Sequence, residues 1–326
     1  MTNIGDFRDF WGSVPHTLKA VIAFSAKDSL ILAGSIFAFA VLGALMFAFA
    51  QEDRGKRSVT KLAKYIFPPE IYESPHTRVD FMVFIFSKVF WGPLVVALMT
   101  LVAVAVAMQN ELIYFFGERP TILHESWQIF WSQFAVSYLS GEFSIYLAHR
   151  LMHTNKVLWS FHRPHHSAEV LTFLTANRNH PLETLIFAIF GALIGGASTA
   201  TLLYSTGTSM HPVLPAALVV IGVFAGIMDK LQHSHLRVSF GPLNFVFQSA
   251  QMHQIHHSAE SVHRDRNFGA TSSLFDWIFG TIYVPKTQEN HRLGLSENEI
   301  GSENPHKLVR DVYLEPFVYA WRVLIR

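Results

Sequence analysis

Eighteen of the 326 residues are histidine, and many of them fall in helical register rather than singly. His149 and His153 stand four apart in HRLMH, which puts both imidazoles on one face of a helix. HRPHH follows with His162, His165 and His166 at i, i+3 and i+4, and HQIHH repeats that spacing with His253, His256 and His257. Between them lie His180 in NRNHPLE and His233 with His235 in LQHSHLR. Three imidazoles crowded on one helical face repel when protonated and gain little when neutral. A bound cation removes that cost by taking a lone pair from each ring. Two triples and a pair supply eight ligands, too many for one tetrahedral or octahedral ion. Two metal ions sharing eight to ten imidazoles is the economical reading. His16, His76, His124, His211, His291 and His306 are isolated and read as polar surface residues, while His263 fits neither class.

Other histidine chemistries fit less well. The HExxH of zinc proteases is absent, no Ser or Cys triad signature is visible, and without cysteine there is neither a thiolate site nor a disulfide. Haem held by paired histidines would use two or four and leave the triples idle. A metal-buffering tail would not place LWSF and FGPLNFVF among its ligands. With 25 basic and 24 acidic residues the net charge is +1, which gives no reason to expect nucleic acid.

The elements that must carry these residues read as membrane helices. Half of the chain is hydrophobic and only 15% is charged, against about 25% in an ordinary soluble domain. Leu30 to Ala50 and Thr184 to Tyr204 carry no charge, Phe81 to Met108 only Lys88, and Trp127 to Ala148 only Glu142. Pro212 to Met228 is a shorter apolar run, joined to the previous one as a helical hairpin. The first residues lack the basic and apolar regions of a signal peptide.

The expected fold is therefore all-α and integral to the membrane, with four to five transmembrane helices under a cytosolic helical cap. Lys and Arg concentrate in 51–80, 149–181 and beyond Met228, which puts the C-terminus and every clustered histidine on the cytosolic face. One integrated domain, 1–326, divides into an interfacial segment (1–28), three spans (30–148), a first histidine segment (149–181), the hairpin (184–228), a second histidine segment (229–285) and a cytosolic tail (286–326). Gly191 and Gly195 form a GxxxG that would serve a homodimer as readily as packing within the chain.

The run from His149 to Glu183 and the run from Gln232 to Pro285 resemble the fatty acid hydroxylase superfamily, in particular its bacterial branch labelled sterol desaturase. The upstream IFPPEIYESPHTRVD is similar to that branch too, so the likeness covers about 220 residues. The resemblance implies an integral-membrane, non-haem di-metal enzyme that hydroxylates or desaturates a lipid with molecular oxygen. It implies two iron ions, with zinc able to replace them in purified protein, in a multi-pass protein of the bacterial inner membrane. The implied metal ligands are His149, His153, His162, His165, His166, His233, His253, His256 and His257, with His180 in the Arg-x-His-Pro motif. Many relatives have Asn where this chain has His235, which leaves His235 as an additional ligand or a supporting group.

Candidate supporting carboxylates are Glu142, two turns before His149, and Glu183, Asp265 and Asp276. For Asp265 the plainer role is pairing with Arg264 or Arg266, and for Asp276 it is capping a helix. Phe134, Tyr138 and Ile145 form a stripe leading to His149, either helix packing or a substrate wall. Lacking a His-Pro-Gly-Gly haem motif, the chain would take electrons from a separate ferredoxin- or cytochrome-like donor. A zinc-dependent lipid enzyme remains an alternative. A metal transporter or sensor would want polar ligands deep in the spans, which are dry apart from Lys88 and Glu142.

Overall fold

The computed structural model describes residues 16–49, 58–87, 101–286, 289, 291–300 and 303–325. Among them the ordered elements are helices: α1 (His16–Phe49), α2 (Val59–Ile66), α3 (Pro69–Tyr72), α4 (Pro75–Phe86), α5 (Leu101–Phe116), α6 (Ser126–Thr154) and α7 (Lys156–His166). There follow α8 (Pro181–Phe190), a π turn at Gly191–Gly196, α9 (Ala197–Thr206), α10 (Leu214–Gln232), α11 (Ala250–His256), α12 (Leu274–Ile278), α13 (Glu297–Ile300) and α14 (Val309–Leu324).

The all-α membrane architecture is as expected, but the spans differ. Three stretches among the described residues are long and apolar enough to cross a bilayer: Ser29–Ala48, Pro181–Thr206 and Leu214–Gln232. They carry Phe37, Leu193, Val220 and Phe224 exposed, a surface suited to lipid rather than water. At 29 residues α6 is about 43 Å long, enough to cross. Its inward face, however, is polar, with Gln133, Ser137, Glu142 and Ser144 all buried, so it falls short on apolarity. The expected span Phe81–Met108 meets the end of α4 at Phe86 and the start of α5 at Leu101, and much of it lies outside the described residues. Nor does α1 break at residue 28, since it runs unbroken from His16.

Small residues set the packing of the spans. An added Cβ at Gly34 would meet Ile227 at 2.6 Å, and one at Gly226 would meet Ile31 at 2.7 Å, so α1 and α10 approach through two glycines. Gly196 in the π turn has Val104 of α5 at 2.8 Å from its absent Cβ, and Ala192 and Gly195 are buried beside it. The glycine-rich turn thus packs against α5 within the chain.

The bundle has two distinct ends. At one, the hairpin tip is stitched to the start of α6: Ile122 N donates to Thr206 O, Thr121 Oγ1 to Gly207 O and Gln133 Nε2 to Ser209 O. At the other, α7 and α11 form the cap. Arg178 is fully buried and holds that end together by donating to Asp80 Oδ1 of α4 at 2.8 Å, to Pro164 O at the end of α7 and to His306 O. Described residues beyond 286 also pack on this end. His306 is fully buried against Glu315 Oε2 at 3.0 Å, and Arg163 of α7 donates to Glu315 Oε1. The surface role expected of His306 is therefore corrected, because α14 docks on α7 and closes over it.

Candidate metal centre

Nine histidines converge into two groups at the cap. His149, His153, His162, His166 and His256 form one, and His165, His233, His253 and His257 the other; within each, the candidate ligand atoms lie within 4.8 Å of one another. Each HxxHH triple is split. At 100° per residue the i and i+4 rings nearly eclipse, while the i+3 ring points about 100° away from i+4. His162 and His166 therefore stay together and His165 crosses to the second group; His253 and His257 stay together and His256 crosses to the first. The triples weave the groups together rather than serving one ion each. His166 and His257 stack across the divide at 4.4 Å between centroids.

The nitrogen spacing is what a metal would require. His149 and His162 Nε2 are 3.0 Å apart, His162 and His166 3.1 Å, and His153 and His166 3.2 Å. In the second group His233, His253 and His257 form a triangle of 3.0, 3.2 and 3.2 Å, with His165 a further 3.0 Å from His233. Protons cannot bridge all three edges of such a triangle at once, because the same ring nitrogen carries either an N–H or a lone pair, never both. Around one ion with bonds of about 2.0–2.1 Å, neighbouring ligand nitrogens sit about 3.0 Å apart in octahedral and about 3.4 Å in tetrahedral geometry. His256 Nε2 is buried without a partner in the same cluster. Burial, followed by the neighbouring rings, holds His162, His165, His166, His253 and His257 well below the ordinary histidine range; these rings are neutral and their lone pairs free.

Backbone and carboxylate acceptors aim the rings. His162 Nδ1 donates to Glu183 Oε1 of α8 at 2.9 Å, His149 Nδ1 to Phe268 O at 2.9 Å and His256 Nδ1 to Arg266 O at 2.7 Å. Fixing Nδ1 as the donor leaves Nε2 as the free nitrogen. Asp265 is 3.4 Å from His153 Nδ1 and also 4.0 Å from Arg264, so both of its expected roles coexist. Asp276 and Glu142 act at one remove. Asp276 accepts from Phe268 N and Gly269 N, fixing the carbonyl that His149 uses; Glu142 accepts from Thr271 and Ser272 farther along the same loop. Missed in the sequence was Asp229, whose Oδ1 lies 3.2 Å from His233 Nδ1 on the same helix; its i, i+4 spacing was the available signal.

Two candidate ligands are not brought in. His180 caps α8 by accepting from Leu182 N at 3.1 Å, and its Nε2 meets Tyr313 O at 3.2 Å, so both nitrogens are engaged. His235 Nε2 meets Tyr65 O at 3.1 Å, with its ring edge-on to Phe39 and Tyr72. His263 is buried against Glu289 and Ser258, away from both groups.

Two cavities reach the cluster. A mostly apolar one of about 340 Å³ runs between α6, α8 and α10 past Ile145, Phe187 and Ala225 to rings of both groups. A polar one of about 140 Å³ reaches His153, His166 and His256 past Trp159, Arg264 and Asp265. Of the stripe, Ile145 lines the apolar cavity; Tyr138 instead stacks on Phe134 and meets Thr271 Oγ1 at 3.2 Å.

An all-helical membrane protein whose cap gathers two groups of neutral imidazoles is a histidine-rich metalloprotein by architecture. Comparison with known proteins sharpens that class. Residues 134–281, which hold all nine converging histidines, match the fatty acid hydroxylase family model. Ornithine lipid hydroxylase of Rhizobium tropici is 28% identical over 50% of this chain and 46% of its own length. Alkylglycerol monooxygenase of Caenorhabditis elegans is 26% identical over 56% and 32%, and a very-long-chain aldehyde decarbonylase of Oryza sativa subsp. indica 27% over 51% and 58%. The match covers from about a third to under two thirds of these relatives. No solved structure matches the chain. Residues 134–281 are thus similar to the fatty acid hydroxylase family, and the histidine cluster lies wholly within that likeness.

Proposed function

We propose that this protein is a membrane-bound, di-iron, oxygen-dependent lipid hydroxylase. The observation that carries the reading is the apolar cavity that leads from between the candidate spans to imidazoles of both groups. His149, His153, His162, His166 and His256 would hold one iron, and His165, His233, His253 and His257 the other. When bound, the irons supply the redox chemistry that activates dioxygen toward a C–H bond. One oxygen atom enters that bond and the other leaves as water, which consumes two electrons and two protons from a separate ferredoxin- or cytochrome-like donor.

The chain's own residues divide the remaining work. Ile145, Phe187 and Ala225 exclude water and accept the lipid tail, and Glu183, Asp229 and Asp265 keep the ring nitrogens aimed. The polar cavity past Arg264 and Asp265 offers water and protons a path separate from the lipid. Hydroxylation over desaturation is supported by the names of the relatives, two of which are a hydroxylase and a monooxygenase. The reading includes a bacterial inner membrane with the cap on its cytosolic face, an orientation supported by the basic segments.

The test is comparative lipidomics of membranes with and without the gene, together with metal analysis of the purified chain. Loss of a lipid class bearing one extra oxygen, with two metal ions per chain, is the expected result. Unchanged lipids with redox-inert zinc in active protein would favour a non-redox enzyme. Zinc alone would not, since it displaces ferrous iron from imidazole sites during overexpression.

A further inference from the structure

The wall of the apolar cavity carries polar atoms that the protein does not use. Glu183 is 2% exposed; its Oε1 receives His162, but its Oε2 is buried without a hydrogen-bond partner. Asn179 donates its amide nitrogen to Ala176 O at 3.3 Å, while its Oδ1 is buried and unpaired. Both residues line the cavity, on either side of the His180 cap. His165 Nδ1 and His253 Nδ1, on rings of the same wall, are likewise buried and unpaired. Neighbouring amides are fully used: Gln232 Nε2 donates to Gln248 O and Ala270 O, and Asn267 Nδ2 to Met252 O and Tyr283 O.

Buried polar groups are costly to leave unpaired, and those that persist mark a place where something else completes them. We propose, resting on the reading that this cavity holds the lipid substrate, that the substrate is a lipid with a hydrogen-bond donor, a hydroxyl or an amide N–H, close to the reacting carbon. Glu183 Oε2 or Asn179 Oδ1 receives that donor. The oxygen of a hydroxyl or amide also answers the imidazole N–H of His165 or His253 once the opposite nitrogen of that ring is engaged. A bare hydrocarbon segment leaves both acceptors unpaired. Such an anchor, beside the imidazoles, fixes how deep the chain slides and so which carbon is presented.

Matched probes test this on the full, metal-loaded chain in nanodiscs. N-hexadecylacetamide is compared with its N-methyl derivative, and hexadecanol with its methyl ether, by equilibrium binding. At least one donor probe should bind about tenfold or more tightly than its blocked partner, and the pair that discriminates identifies the donor as amide or hydroxyl. Asn179→Leu, or Asn179→Ala if the larger side chain perturbs folding, should lower that ratio with metal content unchanged. Equal affinities within both pairs overturn the donor inference. Ile145→Trp, which fills the cavity, reports on the cavity alone and should weaken all four probes together. If it weakens none, the cavity is not the lipid site and both readings fall.

Discussion

Individual histidines differ sharply in what they hold. His162 and His253 belong to different groups, so His162→Ala or His253→Ala should each abolish activity and lower metal content by about one ion per chain, read by elemental analysis. His291→Ala should leave metal content unchanged, because His291 lies outside both groups. His306, by contrast, is buried. Removing its fully buried ring strands Glu315 Oε2, and His306→Ala should cost about 1–3 kcal/mol of unfolding free energy while each folded chain keeps its metals. His180 gives a pH signature. Burial lowers its pKa to about 4, so it stays neutral in the folded protein while the unfolded chain binds a proton near 6.5. The stability this residue contributes is complete above pH 6.5 and drains as the pH falls toward 4, by at most about 3 kcal/mol. His180→Asn keeps an N-cap and should flatten the slope of stability in that window.

At the scale of elements, the loop from Phe268 to Ser272 aims one of the converging rings. Its Phe268 carbonyl orients His149, Asp276 pins its amides from below and Glu142 pins them from α6. An added Cβ at Gly269 would run into the carbonyl oxygen of Ser272 and reach 3.0 Å from Asp276. Gly269→Ala should therefore move the loop and weaken metal affinity by about 10–100-fold, measured by chelator competition. A full-affinity variant would show that His149 does not depend on this loop. The i, i+4 pairs, the hairpin and Glu183 were legible in the sequence because periodicity and proximity along a helix carry them. The exchange of His165 and His256 between groups was not, since it depends on how α7 and α11 face each other across the cap. Nor could the sequence separate His180 from the ligands: its two partners, Leu182 N and Tyr313 O, are backbone atoms that no side-chain pattern encodes. The burial of His306 escaped for a related reason, because the polar residues after 286 hide how α14 folds back.

For the whole molecule, the decisive property is that its two ends are chemically unlike. The hairpin tip and the start of α6 meet at one end through Gln133, Thr121 and Ser126, with Arg119 Nε donating to Tyr204 OH. The other end carries all nine converging histidines, reached along the roughly 43 Å of α6. A helix of that length outspans a hydrocarbon core of about 30 Å, so the two ends can sit in opposite aqueous phases. Lys and Arg enrich the segments on the histidine side, which is the ground for proposing that this side faces the cytosol. A reporter placed after Arg326 or near Arg57 should read cytosolic, and one near Arg119 external. A cytosolic signal near Arg119 would put the tip and the cap in the same compartment. The hairpin would then be re-entrant rather than spanning, and the apolar cavity would open to the membrane surface instead of to the bilayer interior.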